Sequence, residues 1–167
     1  ATIQRNGNGT TVSISYDLVG KVDSIYNLKS NGDQIGSYIY KYDLVGNRIR
    51  VSNSSGSTCT TYGYDGCGRV VREEVTGPVS QDVTHSYDSN GNRLLEIDDG
   101  NRTTFVYNKA NQLISKSNSS GVTTFQFDEL GRLSTQVEPN GNRNTYFWTG
   151  SSTLRNIQFP NGLRQTN

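Results

Sequence analysis

Few residues in this chain are of the types that do chemistry, and their spacing limits what they can do. His85 is the only histidine, and Cys59 and Cys67 are the only cysteines. A lone histidine can act as a general base. No Ser/His/Asp set can be picked out from one histidine among 19 serines. Zinc sites usually need four ligands, which nearly excludes a Cys/His metal centre. If both cysteines lie on one hairpin, Cys67 is in the turn and Cys59 a strand-length away; spacing leaves a Cys59–Cys67 bridge open. Asp17, Asp43, Asp65, Asp88 and Asp128 recur, which could suggest carboxylate catalysis or calcium. A catalytic pair is needed once, whereas an aspartate at the start of every turn can cap backbone N–H groups. The acidic stretch Glu96 to Asp99 lacks EF-hand spacing. The expectation is therefore no catalytic residue, no cofactor and no metal.

These aspartates belong to an internal repeat. Tyr16-Asp17-Leu18-Val19-Gly20 returns as Tyr42-Asp43-Leu44-Val45-Gly46, Tyr64-Asp65-Gly66-Cys67-Gly68 and Tyr87-Asp88-Ser89-Asn90-Gly91. Weaker copies start at Tyr107-Asn108 and Phe127-Asp128, and a degenerate one reads Trp148-Thr149-Gly150. Six intervals between the anchors Tyr16 and Trp148 cover 132 residues, a mean period of 22. A second aromatic precedes most anchors by two, as in Tyr40/Tyr42, Tyr62/Tyr64, Phe105/Tyr107, Phe125/Phe127 and Tyr146/Trp148; His85 fills that slot before Tyr87. Residues i and i+2 share one face of a strand, so His85 reads as a packed member of an aromatic face. After each turn comes an apolar slot, Val22, Ile49, Val70, Leu94, Leu113, Leu133 and Leu154, often beside a basic residue. Midway between anchors, Asn31-Gly32, Asp99-Gly100, Asn140-Gly141 and Asn161-Gly162 supply the positive φ of tight hairpins, and Asn53-Ser54-Ser55-Gly56 and Asn118-Ser119-Ser120-Gly121 mark longer turns. Each unit is thus two strands and two turns, roughly 20 residues.

Composition agrees. Among 167 residues Gly, Asn, Ser and Thr number 18, 18, 19 and 17, while Met is absent and Ala occurs twice. Good helix formers are scarce, which argues against a helical bundle or a doubly wound α/β enzyme. No run approaches the roughly 20 apolar residues of a membrane helix. No membrane insertion is therefore expected, and Lys+Arg at 16 against 15 for Asp+Glu argues against a nucleic-acid groove, a polybasic membrane patch or an acidic tail. We expect an all-β fold: an antiparallel β-hairpin repeat array, a coiled β-solenoid or β-shell segment, of about seven units of about 22 residues and about 14 strands. It fills residues 1–167 as one array, within a longer chain or assembly.

The pattern resembles the YD repeats of Rhs proteins, bacterial toxin-complex shell proteins and teneurins. The family motif, close to G-x-x-x-x-Y-x-Y-D-x-x-G-R-L, is followed nearly position for position by Gly56 to Val70 and by Gly121 to Leu133. The resemblance covers about residues 9 to 163. It implies an extracellular or cell-surface β shell that can enclose a toxin or form part of an adhesion ectodomain. No Asp-Pro-x-Gly self-cleavage signature is present, so these residues look like wall.

The expected function is a non-enzymatic structural segment, in a shell or a surface fibre. Its partners are further YD repeats, or other copies of itself paired through strand edges. The fibre version pairs the strand near Ile3 to Ile14 of one copy with that near Leu154 to Gln165 of another. The alternative is a carbohydrate-binding module using an aromatic ladder of Tyr16, Tyr42, Tyr64, Tyr87, Tyr107, Phe127 and Trp148; the structural reading has these rings pack along the sheet. Four Asn-x-Ser/Thr sequons, at Asn8, Asn53, Asn101 and Asn118, fall in expected turns and are candidate glycan sites.

Overall fold

The computed structural model describes residues 2–53 and 58–166. These form strands and turns with no helix, as the shortage of helix formers requires. Sixteen strands are present: β1 (Thr2–Arg5), β2 (Thr11–Tyr16), β3 (Val22–Leu28), β4 (Gln34–Tyr42), β5 (Arg48–Asn53), β6 (Cys59–Tyr64), β7 (Val70–Thr76), β8 (Gln81–Tyr87), β9 (Arg93–Asp98), β10 (Asn101–Tyr107), β11 (Leu113–Asn118), β12 (Gly121–Phe127), β13 (Leu133–Val137), β14 (Arg143–Trp148), β15 (Leu154–Gln158) and β16 (Arg164–Thr166). Their hydrogen-bonded order follows chain order, which is the antiparallel meander that short turns between all strands impose. The chain divides into two units, residues 1–84 and 85–167, with β8 spanning the division.

Two strands more than expected come from the ends. The segment from Ile3 to Ile14 is a hairpin, β1 and β2, with Ile3 opposite Ser13. Likewise Leu154 to Gln165 is the hairpin β15–β16, with Ile157 opposite Gln165. Asn6-Gly7-Asn8-Gly9 turns the chain within the first of these segments, and the expected Asn161-Gly162 turn divides the second.

Every Asp turn is closed in one way. The backbone N–H of residue i+3 donates to the carbonyl of i, and the N–H of i to the carbonyl of i+4, as in Gly46 to Asp43 (3.2 Å) and Asp43 to Asn47 (2.9 Å). Residue i+3 takes a left-handed φ, which glycine supplies in Gly46 (105°) and Gly131 (77°). In the fifth copy Asn111 takes that place (59°), and in the seventh Ser152 (61°). The seventh turn therefore runs Thr149 to Thr153, and does not close on Gly150. A second irregularity follows. Tyr42 pairs with Arg48 while Lys41 pairs with Arg50, so Ile49 is an unpaired bulge residue. The same shift occurs before Tyr16, Tyr64, Tyr107, Phe127 and Trp148. It corrects the apolar slot in the second copy, where Arg48 stands opposite the anchor and Ile49 is exposed.

Neither unit has an interior. Among the described residues no hydrophobic side chain is fully buried; Ser24, Ser37, Thr123 and Thr135 are the buried residues. One face of the first unit carries Ile14, Ile25 and Tyr38 in one cross-strand row and Tyr40, Val51, Thr60 and Val75 in another. Its other face carries Ser15, Ser24, Ile39, Ser52 and Cys59. In the second unit Phe105, Lys116 and Thr123 form one row, and Tyr146, Ile157 and Gln165 another. A single sheet leaves both faces half wet, so the chain's low apolar content suffices.

The left-handed turn position yields the first prediction. Gly131→Ala should destabilise by roughly 1–2 kcal/mol, and Ser152→Gly should stabilise by a similar or smaller amount. Thermal melts of both variants check this.

Candidate functional site

The residues singled out in the sequence converge on the rim formed by the Asp turns. In the six copies that open on Asp or Asn, one side-chain oxygen accepts two or three backbone N–H groups of its own loop. Asp43 Oδ1 accepts from Val45 (3.1 Å), Gly46 (2.7 Å) and Asn47 (2.8 Å). Asp65 Oδ1 accepts from Cys67 (2.9 Å) and Arg69 (3.0 Å), and Asp128 Oδ1 from Leu130 (3.0 Å) and Arg132 (2.9 Å). Asp17 and Asp88 do the same. Asn108 reproduces the pattern with an amide oxygen, and Thr149 Oγ1 accepts from the Thr153 N–H at 3.1 Å.

The second carboxylate oxygen takes the side chain four residues on. Arg69 Nε and Arg132 Nε donate to Asp65 and Asp128 at 2.7 Å; Asn47 and Asn92 donate to Asp43 and Asp88 at 2.9 Å. The backbone N–H and guanidinium of Arg69 hold Asp65 below its ordinary value of 3.8, and Arg132 does so for Asp128. The Asn92 amide leads the lowering at Asp88. At Asp43 desolvation pushes upward, but the Asn47 amide and three backbone N–H groups outweigh it. These carboxylates are spent on the turn. Among the described residues no three His, Cys, Asp or Glu side chains gather to hold a metal ion.

The residue four after the aspartate also reaches the next repeat, a role that the sequence reading missed. Gln112 Nε2 donates to Gly131 O (3.0 Å) and Arg132 Nη1 to Thr149 O (2.9 Å). Asn90 and Asn92 both donate to Asn111 Oδ1. Lys21 lies over the Tyr42 ring, 5.2 Å from its centroid, and Arg132 over Trp148 at 5.8 Å. Where asparagine fills that place, the arginine one later serves: Arg48 over Tyr62 (5.2 Å) and Arg93 over Phe105 (4.6 Å). The offset was constant in sequence, but four residue types fill it.

The anchors occupy equivalent register positions but alternate strands. Two strand spacings are roughly 9.6 Å, beyond the roughly 4.5–7 Å of a ring pair. The space holds the returning strand and its cation. The anchors bond backward instead: Tyr42 Oη donates to Val22 O (3.0 Å), Tyr64 Oη to Arg48 O (2.7 Å) and Trp148 Nε1 to Leu133 O (2.7 Å). Tyr16 is exposed, while Tyr87, Tyr107 and Phe127 are half-buried.

The remaining candidates lie apart. His85 is largely buried, with its ring 6.3 Å from that of Tyr87 and Nδ1 3.7 Å from Glu96 Oε2. Arg93 claims the same Glu96 oxygen at 2.6 Å. Cys59 and Cys67 are free; Cys59 Sγ accepts from Arg50 Nε at 3.0 Å, and Cys67 is on an exposed turn. Asn8 lies in the β1–β2 turn, whereas Asn101 opens β10 and Asn118 ends β11, all on the rim opposite the Asp turns. Asn53 ends β5, and the rest of its sequon, Ser54-Ser55, is outside the described residues, as is Gly56.

Repeated Asp turns locked to one another along a meander are the mark of one architecture, and the model of the teneurin YD-shell matches residues 2–158. The chain belongs to the YD-shell family. The nuclease WapA of Bacillus spizizenii, specific for tRNA3(Ser), is 30% identical over 149 residues, 87% of this chain. This chain spans 6% of the length of that nuclease. Among solved structures, TcdB2-TccC3-Cdc42 matches with a TM-score of 0.71 at 14% identity over 93% of this chain and 11% of that one. The Photorhabdus luminescens Tc holotoxin pore matches with a TM-score of 0.60 at 16% identity, over 93% of this chain and 10% of that one. The YD-shell fold is a structural one, and the locked carboxylates agree with it.

The turn chemistry can be checked in two ways. Asp128→Asn keeps the Oδ1 acceptor, as Asn108 does, and should lower the melting temperature less than Asp128→Ala. The four lowered turn carboxylates, together with Asp82 held down by the Arg72 guanidinium, stabilise the fold fully above 3.8, and that contribution is lost as pH falls through their lower folded values. Melting temperature should hold from neutrality to about pH 4 and fall below it. The Asp65→Asn/Asp128→Asn double variant should show a shallower acid fall.

Proposed function

We propose that this chain is a non-enzymatic wall segment of a YD-repeat assembly outside the cell. The observation that carries this reading is that the recurring Asp side chains hold their own turns, while Arg132, Gln112, Tyr42 and Tyr64 tie neighbouring repeats together. Such groups are not poised for a substrate. Cations already cover several ring faces, which speaks against sugar stacking on the ladder. Sequons at Asn8, Asn101 and Asn118 stand clear of the Asp turns, so glycans there would leave the wall's linkages intact.

The partners of the wall are more YD repeats, in the same chain or in another copy, joined at strand edges. Among the described residues β1 pairs with β2 alone and β16 with β15 alone. Both outer strands are exposed along their whole length, and an open edge is a template for another strand.

The test is light scattering on the 167-residue chain, with proline placed at Thr2 or Ile3 and at Arg164 or Gln165. Neighbouring N–H groups point to opposite sides of a strand, so one of each pair removes an outward donor. Association that proline abolishes is the expected result. A monomer at high concentration, with β1 and β16 slow in hydrogen exchange, would contradict the edge mechanism. Loss of a hydrolytic or transfer activity in folded His85→Phe would overturn the non-enzymatic reading.

A further inference from the structure

An asparagine followed by glycine is open to self-modification, because no side chain on the glycine shields its backbone nitrogen from the asparagine amide. The chain has six such pairs: Asn6-Gly7, Asn8-Gly9, Asn31-Gly32, Asn90-Gly91, Asn140-Gly141 and Asn161-Gly162. All six lie in five-residue loops closed by the N–H of residue i+3 on the carbonyl of i and the N–H of i on that of i+4. Five pairs hold the third and fourth places, so their glycine is residue i+3 and its N–H closes the loop. Gly9 donates to Asn6 (3.0 Å), Gly32 to Lys29 (3.0 Å), Gly91 to Asp88 (3.2 Å), Gly141 to Glu138 (2.9 Å) and Gly162 to Phe159 (3.0 Å). A nitrogen engaged in that bond cannot attack its neighbour until the loop opens.

Asn6-Gly7 holds the first and second places. The N–H of residue i+1 takes no part in closing the loop, and that of Gly7 has no partner among the described residues. Gly7 is exposed, and apart from its chain neighbours no heavy atom lies within 4 Å of where its Cβ would stand, so water reaches the pair. The Asn6 side chain is also less restrained than its counterparts. Asp65, which opens its own loop ahead of Gly66, has Oδ1 held by the N–H groups of Cys67 and Arg69, and an ionised carboxylate is a poor electrophile. In the first loop Asn8 Oδ1 takes the Thr10 N–H (3.1 Å), the donor that residue i accepts in the Asp turns. Asn6 keeps one side-chain bond, from Nδ2 to Thr10 Oγ1 at 2.9 Å, and its Oδ1 accepts none among the described residues.

We propose that Asn6 is a site of spontaneous deamidation and that the fold protects the other five Asn-Gly pairs. The Gly7 nitrogen, its proton lost to solvent hydroxide, bonds to Asn6 Cγ. The Cγ–Nδ2 bond breaks, and Nδ2 takes a proton from solvent and leaves as ammonia. The succinimide ring that results takes up one water, which opens one of its two C–N bonds. Opening at Cγ gives aspartate; opening at the main-chain carbonyl gives isoaspartate, with the chain routed through Cγ. Either product puts a carboxylate where a neutral amide stood. Isoaspartate also lengthens the main chain by one carbon directly after β1, where Arg5 pairs with Thr11.

Timed incubation of the 167-residue chain at mildly alkaline pH, read by peptide mapping with tandem mass spectrometry, tests it. At the other five pairs the loop bond must open first. Asn6 should therefore convert faster than any of them by about tenfold, the rate factor of one hydrogen bond near the top of its usual net worth. In urea, where no loop is closed, the six should convert at similar rates. Gly7→Leu should suppress conversion of Asn6 and keep the melting temperature, because Leu18 and Leu44 fill the same second place of their loops. Conversion of Asn6 no faster than that of Asn31 or Asn140 in the folded chain would overturn the proposal. So would equal conversion of Asn6 and Asn8 within their shared loop, or undiminished conversion in Gly7→Leu. An equal lead for Asn6 in urea would do the same, since neighbouring residues and not the loop would then set the rate.

Discussion

The constraint that recurs through this fold is the Asp turn, in which a side-chain oxygen accepts backbone N–H groups of its own loop. A hairpin loop of this kind leaves those donors facing inward with no strand partner, and an aspartate at its first position satisfies them. Behind these turns lies a bulge, which the loop from Glu138 to Asn142 lacks. The bulge places the anchor aromatic, its earlier neighbour and the post-turn residue on one face despite their uneven spacing. The register of both flanking strands, and with it the face on which each side chain stands, follows from that turn.

The second consequence is a protein unit without an interior. Ser24, Ser37, Thr123 and Thr135 are buried, but no large apolar side chain is, among the described residues. Stability must therefore come from the ladder, from half-buried cross-strand pairs and from links between successive turns, as in other repeat arrays where each unit contacts only its neighbours. The cations over Tyr42, Tyr62, Phe105 and Trp148 are part of this. Each such contact is worth about 0.5–1 kcal/mol at an exposed site, and the repeat multiplies it. Arg132 joins three of these contacts, binding Asp128, the Trp148 ring and the Thr149 carbonyl.

A fold of this kind says little about chemistry, because the function of a repeat wall lies in what it borders. The relationship to a nuclease covers 6% of that protein, and in this chain the recurring aspartates are engaged by their own turns. His85 illustrates the point. Its position in the aromatic slot, beside Tyr87 and near Glu96, is that of a packed ring.

The sequence by itself determined the repeat, its period, the hairpin in each unit and the capping role of the aspartates. Those properties are local: a turn and its capping side chain lie within five residues, and strand alternation lies within six. Tertiary structure decided the rest. That Arg48 and not Ile49 faces the ring side depends on a bulge closed across two strands. That Ser152 takes the left-handed position, and not Gly150, depends on where Thr149 meets Thr153. That Lys21 stands over the Tyr42 ring and Arg132 over Trp148 depends on pairing between neighbouring strands. The strand that returns between two anchors is legible along the chain, but which of its residues meets a ring is not, because that is a spacing between neighbours and not an order of residues.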